Sequence, residues 1–145
     1  MSTFNKVLLV ILSAAILVSV GAIIYLLVTP APANRFTEFY LLNEEGKASD
    51  YPAVVHAGMP VTVTLGLINR EGKTASYRID TVSNGTTIQS VSVPGLAQDQ
   101  KWEGKTSFTL NDPGDNQTVQ FYLFMNNDAK PHINDPLLLR LNVVK

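Results

Sequence analysis

The residues that could support chemistry are few, beginning with two histidines, His56 and His132, and a scatter of carboxylates. A protein metal site takes imidazole, thiolate or carboxylate ligands, and this chain has no cysteine. Any such site would need both histidines plus acids gathered by the fold, yet the two lie far apart in sequence, each beside an expected strand end or loop. An exposed loop histidine is the commoner state, and both are read that way. The stretch NDPGDNQ, Asn111 to Gln117, superficially resembles an oxygen-rich calcium loop. It lacks the alternating acids, fixed glycine and late glutamate of an EF-hand, and a plain turn accounts for it. Glu44, Glu45 and Asp50 read as a solvated loop. No Gly-x-Ser-x-Gly elbow, phosphate loop or dinucleotide fingerprint occurs. The expectation is therefore no catalytic residue, no cofactor and no metal, in a protein that is not an enzyme and shows no sign of a small-molecule substrate.

Recognition chemistry is better represented. Two sequons, Asn84-Gly85-Thr86 and Asn116-Gln117-Thr118, make Asn84 and Asn116 candidate N-glycosylation sites on an extracytoplasmic surface. Tyr40, Tyr51 and Tyr122 could stack on sugar rings. Tyr122 and Phe124 share one face of a strand, opposite Phe121, and are candidate partner-contact aromatics. A formal charge of -1 without basic blocks argues against nucleic acid.

These residues must be positioned by two unlike parts. From Val7 to Val28 run 22 uncharged residues, VLLVILSAAILVSVGAIIYLLV. As a helix they extend ~33 Å, enough for a ~30 Å hydrocarbon core, and they outrun the ~7–15 residues of a secretory h-region. The reading is a retained single-pass signal-anchor at 7–28 after a short flank at 1–6. Ala31-Pro32-Ala33 has the small-x-small spelling of a signal-peptidase site, but is read as part of a stiff stalk at 29–35. About six residues of at most ~3.5 Å each would keep the following domain within ~20 Å of the bilayer. Lys6 before the helix, acids after Arg35 and the sequons together orient the N-terminus to the cytoplasm and the C-terminal domain outside. Ala15, Ser19 and Ala22 fall on one helix face, where small side chains let a second helix approach, although such stripes also simply face lipid.

From Phe36 the pattern switches to a period of two. Val61, Val63, Leu65 and Leu67 point one way, as do Ala75, Tyr77 and Ile79. Further sets are Trp102, Thr106, Phe108 and Leu110, then Val119, Phe121, Leu123 and Met125, then Leu137, Leu139, Leu141 and Val143. Weaker strands are expected at Thr37–Leu42, Ala53–His56 and Thr86–Val93. Asn84-Gly85 is a two-residue hairpin signal, and Arg70-Glu71-Gly72-Lys73 and Asp112-Pro113-Gly114-Asp115 are turn signals. Seven or eight short strands over 36–145 predict an all-β, immunoglobulin-like antiparallel β-sandwich. Trp102 is assigned to its core.

The segments FTEFYLLNEEGKASDYP, VTVTLGLINREGKTASYRI and WEGKTSFTL, followed by PGDNQTVQFYLF and LLLRLNV, form one ordered layout. It resembles the C-terminal domain of archaeal and bacterial membrane proteins grouped as domain of unknown function 1616. The likeness covers Phe36 to Lys145. It implies a membrane-associated extracytoplasmic sandwich with a strand pair, a Trp-Glu strand and a Phe-rich closing hairpin, and it implies no activity and no catalytic residue. Many members carry several membrane helices, whereas this chain has room for one.

Together these features predict a non-enzymatic accessory subunit in a cell envelope, meeting membrane lipid through its helix and another membrane or envelope protein through its sandwich. The alternatives are a pilus- or archaellum-like filament subunit or stator component, and a carbohydrate-binding module. Asn5-Lys6-Val7 lacks the small residue of a prepilin peptidase site, a departure for the pilin version.

Overall fold

The structure is a computed structural model that describes residues 1–29 and 34–145. The tripeptide Ala31-Pro32-Ala33, and with it the choice between cleavage site and stiff stalk, lies outside the described residues. The chain divides into two units, Met1–Asn34 and Arg35–Lys145.

The first unit is one helix, α1, Thr3–Val28, of 26 residues with no residue buried. Ser2 caps it, its hydroxyl accepting from the Asn5 amide at 3.3 Å. At the other end the Thr29 amide donates to Tyr25 O at 2.9 Å. The hydroxyls of Ser13 and Ser19 donate to the carbonyls of Leu9 and Ala15, each at 2.8 Å. Both hydroxyls are thereby satisfied within the helix. By length and composition the helix can cross a membrane, a test that a signal sequence also passes.

The second unit is a sandwich of two sheets. One has the order β1 (Phe36–Leu42), β3 (Pro60–Arg70), β6 (Lys101–Thr109). The other runs β2 (Val54–His56), β8 (Leu137–Val144), β7 (Gly114–Met125), β4 (Ala75–Ser83), β5 (Thr86–Leu96). The alternating residues face inward as their period requires: Val63, Leu65, Leu67, Ile79, Val119 and Phe121 are wholly buried. Phe108 of one sheet meets Phe121 of the other edge-to-face, with ring centroids 6.1 Å apart. Trp102 also points inward but is half-buried at the rim, its ring lying across Gly104.

Two features depart from the sequence expectation. The sheets are not purely antiparallel, because β2 pairs with β8 in parallel through Val54–His56 and Asn142–Val144. A three-residue strand carries too little pattern to announce its direction, and β2 leaves the sheet of β1 and β3 to lie on the opposite one. Likewise β3 and β4 are not a hydrogen-bonded pair: each belongs to a different sheet. The turn signal Arg70–Lys73 is thus a corner that carries the chain around the end of the core. In contrast, Asn84-Gly85 makes a true hairpin, with positive φ at both residues (51° and 75°), as a two-residue type I′ turn demands. The closing hairpin β7–β8 is also present.

Candidate functional site

The corner after β3 creates a polar cluster that sequence reading missed. Glu71 lies just past β3 and its side chain is only 8% exposed. A buried carboxylate is costly unless hydrogen-bonded, and two elements supply donors to it while a third supports one of them. The Thr37 hydroxyl, from β1, donates to Glu71 Oε1 at 2.7 Å. His132, from the connection between β7 and β8, places Nε2 2.6 Å from the same oxygen. The Tyr77 hydroxyl, from β4, lies 3.0 Å from Thr37 Oγ1. Since threonine has one hydroxyl proton and Glu71 takes it, the tyrosine must donate here. Burial, with the Glu71 charge adding to it, raises the Tyr77 pKa above the ordinary phenol value.

Asn69 secures the corner itself. Its Oδ1 accepts the Glu71 amide at 2.9 Å, and its Nδ2 donates to the carbonyls of Lys73 and Leu96, each at 2.7 Å. His132 also donates its backbone amide to Leu123 O at 2.7 Å, so the β7–β8 connection is held at two points. The exposed-loop reading of His132 is therefore corrected: the ring closes the end of the sandwich. Its signal in the sequence, a lone histidine in a polar loop, was indistinguishable from an exposed one.

On the outer face of the three-stranded sheet the polar groups form two separate charged clusters. Arg70 bridges Glu38 at 3.0 Å and Asp99 at 2.7 Å. Tyr40 donates to Glu103 at 2.8 Å, and Lys101 pairs with the same carboxylate at 2.9 Å. Lys101 first, then Tyr40, holds the Glu103 carboxyl below its ordinary value. Partial burial and the Glu103 bond push the Tyr40 phenol up to about 12. The Tyr40 ring lies flat against Gly66, where any Cβ would collide with it.

The open side of the sandwich holds a groove of about 670 Å³ lined by Phe39, Tyr40, Leu41, Tyr51 and Leu137–Arg140. It exists because β1 pairs only with β3, while β2 covers only the last three residues of β8. Leu137–Leu141 therefore hydrogen-bond to β7 on one side and, among the described residues, pair with no strand on the other. Tyr51 marks one end of the groove, its hydroxyl donating to Leu41 O at 2.8 Å. Tyr40 and Tyr51 both border the groove, although the Tyr40 ring itself lies over Gly66 with its hydroxyl on Glu103.

The remaining candidates are dispersed. Tyr122 and Phe124 are half-buried on the outer face of β7, opposite Asp80 and Arg78. The Arg78 guanidinium sits 4.3 Å from the Phe124 ring centroid and occupies that ring face. Asn84 is exposed in its hairpin, and Asn116 is exposed at a bulge in β7 with φ 52°. The segment Asn111–Gln117 is a turn only up to Pro113, after which it enters β7. His56 is exposed, with Nδ1 3.3 Å from Lys145 O. Glu44, Glu45 and Asp50 are exposed in the loop after β1. Ala15, Ser19 and Ala22 are exposed on α1. Among the described residues no group of three or more His, Asp or Glu side chains is arranged to hold a metal ion.

No curated protein matches the sequence. The fold is similar to the CARDB domain of the PF1109 protein from Pyrococcus furiosus, a structure solved in complex with di-metal ions. That similarity has a TM-score of 0.54 at 13% identity over 79% of this chain and 97% of the other. A β-glucosidase from Listeria innocua contains a similar region, with TM-score 0.51 and 12% identity over 76% of this chain but 16% of the enzyme. At such identities the likeness is one of fold, an immunoglobulin-like sandwich. Sequence kinship comes from a profile that spans residues 30–143, and by it the chain belongs to the family described as Domain of unknown function (DUF1616).

Proposed function

We propose that this protein is a non-enzymatic interaction subunit, held in the membrane by α1 and presenting its immunoglobulin-like domain outside the cytoplasm to a protein partner. The observation that carries the reading is α1 itself: a 26-residue apolar helix with no buried residue, ~39 Å long at ~1.5 Å per residue. An apolar helix of that length is stable in lipid and costly in water. An anchor accounts for it better than a signal sequence, since the uncharged run exceeds a usual h-region. The domain that follows it has the family and architecture of a β-sandwich whose open side is a groove lined by the half-buried apolar side chains Phe39, Leu41 and Leu137, which a binding partner could cover.

Alkaline carbonate extraction of native membranes, with N-terminal sequencing, tests the anchor. Retention in the pellet with α1 intact is expected, and a soluble chain starting near Asn34 would overturn it. Protease treatment of intact cells tests orientation, with digestion of the sandwich expected. Copurification in mild detergent should recover a stoichiometric membrane or envelope protein, and a chain recovered strictly alone would count against the partner.

A further inference from the structure

The groove beside β8 is the place where backbone hydrogen-bonding groups, apolar side chains and an unpaired charge coincide. Among the described residues, Leu137–Arg140 form a strand edge with no paired strand on the β2 side. Unpaired strand edges are templates for a further strand. Across the groove stand Phe39 and Leu41 of β1, itself an edge strand. The gap between the two sheets therefore has a polar wall of backbone on the β8 side and an apolar floor between them. At ~3.3 Å per residue the free stretch is ~13 Å long, room for about four residues of extended chain.

The charge at its rim narrows the occupant. Arg140 lines the groove, is exposed, and takes part in no ion pair among the described residues. The nearest acid on β1, Glu38, is already held by Arg70. Leu137–Leu141 carry one charge, positive, and no acid, so two copies paired edge to edge would bring like charges together without compensation.

We infer that this edge receives an extended segment of a different protein, apolar at alternate positions and carrying a carboxylate opposite Arg140. The segment adds a strand to β8, buries its apolar side chains against Phe39, Leu41 and Leu137, and pairs its acid with the guanidinium. This specifies how the interaction domain proposed above would bind, and it rests on that reading for the existence of a partner.

The test uses the full chain in detergent micelles and two synthetic peptides of about eight residues, long enough to overhang the groove. Both alternate valine and threonine, and they differ by one central glutamate or lysine. Amide hydrogen exchange is followed by mass spectrometry. The glutamate peptide should slow exchange at Leu137–Arg140 and Phe39–Leu41 and bind better than the lysine peptide. Arg140→Glu should reverse that order, each preference being roughly fivefold for a rim charge. Three results would overturn the inference: neither peptide slows exchange there, the order survives Arg140→Glu, or the same amides become protected with rising protein concentration and no peptide. The last would make a second copy the occupant. Binding by solubilised protein does not depend on membrane retention, so carbonate extraction separates failure of the anchor from failure of this site.

Discussion

At Glu71 one carboxylate oxygen accepts from both Thr37 and His132, and Tyr77 is tied in through Thr37. Glu71→Ala leaves the Thr37 hydroxyl and the His132 ring without their acceptor and should lower unfolding free energy by about 2–4 kcal/mol. Glu71→Gln keeps the acceptor and should cost less than half of that, a comparison read from urea denaturation. Faster amide exchange in 126–136 should accompany the alanine variant, because His132 secures that connection. Tyr40 offers a pH test. Its phenol is pushed up to about 12, above the ~10 of an unfolded chain. A raised folded value means the stability from this group is complete below about pH 10 and lost as pH climbs through about 12. Tyrosinate absorbance should therefore show a late-ionising phenol, and Tyr40→Phe should remove it.

Between strands, the packing of a ring on a glycine is a recurring device. Trp102 covers Gly104 two residues along β6, and Tyr40 covers Gly66 on the neighbouring strand. Glycine costs some conformational entropy in a strand, and here the missing side chain makes room for an aromatic ring. Gly104→Val should push Trp102 outward, costing about 1–3 kcal/mol as overpacking does. Trp102 is the only tryptophan, so a red shift of the intrinsic fluorescence reports the displacement directly. An emission maximum unchanged from wild type would show that the ring does not depend on that space. Neither ring–glycine pair was legible in the sequence. Alternation says which face a residue takes, and it says nothing about which glycine lies beneath which ring.

For the molecule as a whole, only β4–β5 and β7–β8 are hairpins within a sheet, and every other connection between strands changes sheet. The two sheets are thus laced together and should unfold as one unit. Phe121, wholly buried against Phe108 of the other sheet, is the place to test this. Phe121→Ala should cost about 3–5 kcal/mol. It should shift the transition seen by Trp102 fluorescence, on one sheet, and by pulsed amide exchange along β4 and β7, on the other, to the same midpoint. Separate midpoints would show that the sheets unfold independently. The inward faces of β3, β4, β6, β7 and β8 were legible from the sequence, because a strand with one buried face must alternate and its register is enforced at every second residue. The apolar helix was legible for a simpler reason: a run without charge or polar period has one regular conformation that satisfies its own backbone. What the sequence could not decide was which strands share a sheet, since the same alternation serves β3 beside β4 or across from it. That choice turned Arg70–Lys73 from a surface turn into a corner, buried Glu71, and drew His132 onto it from far along the chain. It also left β8 half uncovered by a three-residue β2. Pattern depends on local period, whereas these contacts depend on which distant segments the closed sandwich brings within a few ångströms.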